Sequence, residues 1–122
     1  MPDKRGLEAG ALEAKSRNAA VRIGINSGSL EKKILKDFTG DFSGAIVESA
    51  LETVRLFENI QFFNFKISVK ASSVIDTVSS YRQISEKINY PLHVGITEAG
   101  PAFTGAIKSA VGIGILLSEG IG

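Results

Sequence analysis

The sequence predicts an α/β fold: a section of a (β/α)8 TIM-type barrel, with about three parallel strands alternating with helices in the order αβαβαβα. Three observations carry this expectation. The segments VRIGIN, FKISVK and LHVGIT each place apolar residues at alternate positions, so one face of each strand is wholly hydrophobic. Between them lie stretches with apolar residues at three- and four-residue spacing, the pattern of helices that cross from one parallel strand to the next. The opposite strand faces, Arg22, Gly24, Asn26, then Lys66, Ser68, Lys70, then His93, Gly95, Thr97, are small or polar in the same phase. A barrel interior accepts such faces, whereas an open sheet covered on both sides by helices calls for continuous apolar runs.

Each element follows in order. An amphipathic helix is expected over residues 6–19, within an N-terminal helical segment 1–19 that reads as foreign or divergent, and 20–122 reads as the partial barrel with three βα units. After VRIGIN, the run SLEKKILKDF predicts a short solvated helix with Leu30, Ile34 and Leu35 inward. The next helix runs from residue 43 or 44 to 60 on Ile46, Val47, Ala50, Leu51, Val54 and Phe57, and another from 72 or 73 to 88 on Val74, Ile75, Val78, Tyr81, Ile84 and Ile88. Both open at serine caps. Phe57, Phe62, Phe63 and Phe65 are assigned to the core and to helix-to-strand packing. A last helix opens at Gly105 under a Thr104 cap and reaches about Glu119, with GAIKSAVGIGILL as a buried helix.

At 122 residues the chain is one domain, shorter than the roughly 250 residues of a closed barrel. Three parallel strands leave open edges, which a homo-oligomer could cover. A net charge of +1 gives no global field for nucleic acid or anionic lipid, so any anion site must be local. With no cysteine and one histidine, the chain by itself is expected to bind no metal and no iron–sulfur cluster. The N-terminus has no apolar signal-peptide core, and no run reaches the roughly 18 apolar residues of a membrane span, so a cytoplasmic location and no membrane partner are expected.

In α/β folds, functional groups gather at the carboxyl ends of strands. That rule selects Asn26 with SGS, Lys70 with ASS, and Thr97 with EAGPAFTG. Arg22, Lys66, Lys70 and His93 add cationic groups suited to a phosphate or diphosphate, since their N–H donors make charge-assisted hydrogen bonds to phosphoryl oxygens. The NSGSL and KASS loops offer backbone donors to the same end. Glu98 is the carboxylate of this neighbourhood, able to transfer protons or to complement a helix N-terminus. Arg22 and Lys66 equally suit structural ion pairs, and His93 an interior hydrogen bond. Lys70 beside Lys66 would also suit a Schiff-base nucleophile of an aldolase-like barrel. A folding or assembly module without catalysis is a further reading.

VRIGINSGSLEKKIL, NFKISVKASSV, YPLHVGITEAG and GAIKSAVGIGILLSEGIG, in this order, resemble the later part of the barrel domain of the 4-hydroxy-3-methylbut-2-enyl diphosphate synthase family. The resemblance covers residues 20–122. It implies reductive ring opening of a cyclic diphosphate, 2-C-methyl-D-erythritol 2,4-cyclodiphosphate, in isoprenoid synthesis by the methylerythritol phosphate route. It further implies a [4Fe–4S] cluster on a separate domain absent from this chain, and a ferredoxin or flavodoxin-type electron donor. By resemblance, Arg22, Asn26 and Lys70 hold the diphosphate, Glu98 acts in proton transfer, and His93 lies nearby. Without cluster ligands the chain alone is expected to be inactive in the reductive step.

Overall fold

The computed structural model describes residues 4–26, 30 and 38–122 of the chain. The order of elements is α1 (Lys4–Ser16), β1 (Val21–Asn26), α2 (Phe42–Asn59), β2 (Phe65–Lys70), α3 (Val74–Ser85) and α4 (Ala102–Ser118). β1 and β2 pair in parallel, from Val21 opposite Phe65 to Asn26 opposite Lys70. Their alternation does what the pattern requires: Ile23, Ile25, Phe65, Ile67 and Val69 are buried, while Arg22, Asn26 and Lys66 stay exposed.

α2 covers this apolar face with Ile46, Val47, Ala50, Val54 and Phe57, all buried. It begins two residues or so before the expected start, because Asp41 and not a serine caps it, accepting a hydrogen bond from Gly44 N at 2.8 Å. Past its end, Gln61 takes a left-handed φ of 56°, and Phe62 N bonds Phe57 O at 2.9 Å, reversing the chain toward β2. Phe57 then meets the rings of Phe62 and Phe65 edge-on, at centroid distances of 5.6 and 5.4 Å. Phe63 departs from expectation. It points outward, 57% exposed, because the left-handed turn at Gln61 aims Phe62 at the core ahead of β2.

α3 starts as expected at Ser73, whose hydroxyl accepts from Asp76 N at 3.2 Å, and buries Val78, Tyr81 and Ile84. Ile75, expected on the apolar face, is instead 80% exposed. α4 differs in two ways from its expected form. It begins after Pro101 with no side-chain cap, Thr104 instead donating back to Pro101 O at 3.5 Å. It is also only partly buried, through Gly105, Gly112 and Leu116, leaving Phe103, Ile107, Val111 and Leu117 exposed.

The largest correction concerns the third strand. Residues 92–97 run parallel to β2 but form only an isolated bridge, Leu92 opposite Ile67, so the described order is αβαβαα around a two-stranded sheet. Ile67 N bonds Pro91 O at 2.9 Å, His93 N bonds Ile67 O at 2.7 Å, and Thr97 N bonds Ala71 O at 3.1 Å, so the register of a strand is kept at both ends. Between them α3 intrudes. Tyr81 Oη accepts from Val69 N at 3.2 Å and donates to His93 O at 2.6 Å, and Ala71 N donates to Thr77 Oγ1 at 3.0 Å. Two backbone donors, Val69 N in β2 and Ala71 N just past its end, are thus satisfied by a helix, which holds the third segment off the ladder.

The N-terminal helix is found at Lys4–Ser16, somewhat before the expected 6–19. The expected helix over 29–38 lies outside the described residues apart from Leu30, which packs against the core, and Phe38. No helix among the described residues is long and apolar enough to cross a membrane.

Candidate functional site

The polar face of the sheet opens into a depression of about 230 Å³ lined by Arg22, Gly24, Ile25, Asn26, Ser68, Lys70 and Thr97. Strand register builds it: Asn26 and Lys70 are paired neighbours at the carboxyl end, and Gly24 and Ser68 are paired one rung of this face below. Among the described residues the lining holds two full cations and no carboxylate.

Small residues make the bed on which the cations lie. A Cβ on Gly24 would sit 3.3 Å from Arg22 Nη1 and 3.4 Å from Ser68 Oγ, so the guanidinium stretches over the glycine. Arg22 Nη1 donates to the buried Ser68 Oγ at 2.8 Å, and that hydroxyl donates to Ile23 O at 3.4 Å. A Cβ on Gly95 would lie 3.1 Å from both Cε and Nζ of Lys70, so the lysine crosses toward residues 92–97 over the second glycine.

The charges oppose one another. Burial, and then the Arg22 guanidinium, hold the Lys70 ammonium below its ordinary value. His93, though exposed, is lowered first by partial loss of its hydration and then by Lys70, Arg22 and Lys66. Among the described residues, groups of one sign are therefore gathered without an anion in the lining to offset them, the electrostatic condition of an anion site.

Of the residues selected from sequence, Arg22, Asn26 and Lys70 come together in the depression. His93 is exposed and outside its lining, yet within the field of the same cations. Glu98 also lies outside the lining, exposed, with a left-handed φ of 49°. Ser27, Gly28 and Ser29 of the NSGSL loop lie outside the described residues, and Ser73 of KASS is used as the cap of α3. Thr97, selected as a strand-end residue, also lines it. Ser68 was not singled out beforehand, and is legible in hindsight as the small residue between Lys66 and Lys70.

The loop bearing Glu98 is clamped by α4. A Cβ on Gly105 would fall 2.9 Å from Gly100 O, and one on Gly112 would fall 2.6 Å from Ile96 Cδ1. At Gly105 the neighbour is backbone and only glycine allows the approach, which fixes the chain just after Glu98; at Gly112 the neighbour is the end of the Ile96 side chain, which packs on α4 before Glu98.

The chain's residues do not fit an iron–sulfur cluster, since there is no thiolate in the sequence and no group of three metal-ligating side chains among the described residues. Any such cluster would need ligands from outside this chain.

The sequence matches the family model of the GcpE TIM-barrel domain over residues 3–122. It is 58% identical over 109 residues to the 4-hydroxy-3-methylbut-2-en-1-yl diphosphate synthase (flavodoxin) of Ruminiclostridium cellulolyticum, covering 89% of this chain and 31% of that protein. The same-named protein of Lawsonia intracellularis is 51% identical over 109 residues, covering 89% of this chain and 30% of the relative. That of Clostridium acetobutylicum is 52% identical over 119 residues, 98% of this chain and 34% of the relative. The chain thus spans about a third of the length of these curated relatives. An α/β arrangement with parallel strands, a cationic polar face and a match across nearly the whole sequence agree: the chain belongs to the GcpE TIM-barrel family.

Proposed function

We propose that this chain is the substrate-binding barrel segment of a 4-hydroxy-3-methylbut-2-en-1-yl diphosphate synthase, acting on the cyclic diphosphate of methylerythritol in isoprenoid synthesis. Residues 20–122 form the partial barrel. The observation that supports this best is the depression lined by Arg22 and Lys70, with no carboxylate among its described lining residues. Arg22, anchored by Ser68, and Lys70 hold the two phosphoryl groups, with Asn26 as a neutral donor between the strands. His93 adds charge at the side when protonated. Ring opening releases the bridging carbon from a phosphate oxygen, takes up two electrons and expels a hydroxyl as water, for which Glu98 supplies the proton. The two electrons would have to be supplied from outside this chain, by a flavodoxin- or ferredoxin-type donor and a [4Fe–4S] cluster whose ligands this chain does not hold. The chain's own residues bind, orient and protonate, and by themselves they do not carry out the reduction.

Calorimetric titration of inorganic pyrophosphate into the folded chain tests the cradle. Lys70→Ala and Arg22→Ala should each weaken binding about 10- to 100-fold, since a charge-assisted hydrogen bond contributes about 1.5–3 kcal/mol. Unchanged affinity in both variants sinks the assignment.

Sulfate, which does not titrate near neutrality, gives an independent check. The free chain holds His93 below its ordinary 6.5 through partial loss of hydration and neighbouring cations, so a bound anion should raise its midpoint. The bound state then holds more protons than the free state, and sulfate affinity should rise about threefold or more as pH falls through the His93 titration. An NMR titration of the imidazole with and without sulfate reads the shift, and His93→Gln should abolish the pH dependence.

A further inference from the structure

Tyr81 is fully buried and belongs to the outer helical layer, yet its hydroxyl reaches through the sheet to the hydrogen-bonding plane between β2 and residues 92–97. The two flanking connections, His93 N to Ile67 O and Thr97 N to Ala71 O, fix the register so that Val69 N faces His93 O. A parallel ladder would join those two groups directly. Instead the hydroxyl sits between them as acceptor and donor, one turn of helix from Thr77, which takes the next donor, Ala71 N. Packing alone does not explain this placement, since a phenyl ring fills the same apolar space and leaves the ladder free to close.

We infer that Tyr81 is a positioning residue of the anion site, its hydroxyl setting the width of the seam between β2 and the segment that carries His93, Thr97 and Glu98. The inference rests on the diphosphate-binding reading above. The width matters because Lys70 crosses the seam: its Cε and Nζ already approach the Cβ position of Gly95 to 3.1 Å. Closing the seam drives Gly95 into the lysine stem and turns the ammonium out of the depression. It also draws His93 toward β2, where Lys66, Lys70 and Arg22 face it from the same polar side.

Tyr81→Phe in the full chain tests this through two readouts. The His93 imidazole midpoint, followed by NMR without ligand, should move further down as the cations come nearer. Pyrophosphate affinity should fall about fivefold, the scale of one displaced hydrogen bond. A folded Tyr81→Phe chain whose His93 titrates as in the unaltered chain overturns the inference. If the unaltered chain binds no pyrophosphate, the diphosphate-binding reading fails, while the His93 comparison still decides the seam. Should Tyr81→Phe fail to fold, the unaltered chain decides alone. A slowly exchanging Tyr81 hydroxyl proton with a cross-peak to the Val69 amide is the expected result, and its absence overturns the inference.

Discussion

Phe57→Ala should destabilise the chain by about 3–5 kcal/mol, read as a lower urea midpoint at unchanged slope. The residue ends the buried stripe of α2, is 2% exposed, and meets Phe62 and Phe65 edge-on at 5.6 and 5.4 Å. Those contacts join the last turn of α2 to the first residue of β2, so the same ring holds the helix and places the strand. A hollow of about 100 Å³ already lies beside it, bounded by Leu7, Val21, Ile23, Thr53 and Phe57 among others. The void left by truncation merges with that hollow, and its walls cannot collapse without moving α1 or β1, which argues for the upper part of the range. Phe63→Ala, at an exposed position two residues from β2, should change stability by less than about 0.5 kcal/mol. Equal effects from the two substitutions would show that the Phe57 cluster does not anchor the α2–β2 corner.

The contrast between these two phenylalanines shows what a sequence of this kind reveals. VRIGIN and FKISVK declare their faces because period-two alternation is a local property, and both strands and their polar side follow from it. Arg22, Asn26 and Lys70 were legible for the same reason, being on the polar face of a strand or at its end. Phe62 and Phe63 were not separable, because the left-handed turn at Gln61 decides which of them faces the core. The start of α2 was misplaced since Asp41 and Ser43 are both good caps, and the one with its oxygen near Gly44 N is known only from the folded loop. LHVGIT has the alternation of a strand but lacks its ladder, because Tyr81 and Thr77 arrive from another element. In sequence Tyr81 is simply an apolar position of a helix, and no local signal marks its hydroxyl as a bridge. α4 is apolar enough to read as buried, yet composition does not state which neighbours cover it, and Ile107 and Val111 remain about half exposed.

Glu98→Gln should lower turnover by about 100- to 10,000-fold in a complete synthase carrying this chain as its barrel segment, while leaving pyrophosphate binding nearly unchanged. Glutamine keeps the size and the hydrogen-bonding oxygen but cannot deliver a proton, and Glu98 does not line the depression. The backbone supplies a second argument. Glu98 takes a left-handed φ of 49°, which disfavours a residue with a Cβ by about 1–2 kcal/mol, and it precedes Gly100, which takes a φ of 106°. Asparagine or glycine would suit this turn better, so the turn itself gives no reason for a glutamate. The close backbone approach of Gly105 to Gly100 O holds the strained turn in place, as expected when a carboxylate must be presented at one point above a strand end. Glu98→Gly should therefore leave stability within about 1 kcal/mol of the unaltered chain, relief of strain offsetting the added freedom of the unfolded state, and still lose turnover as Glu98→Gln does. A Glu98→Gln enzyme with undiminished turnover would remove the carboxylate from the proton path.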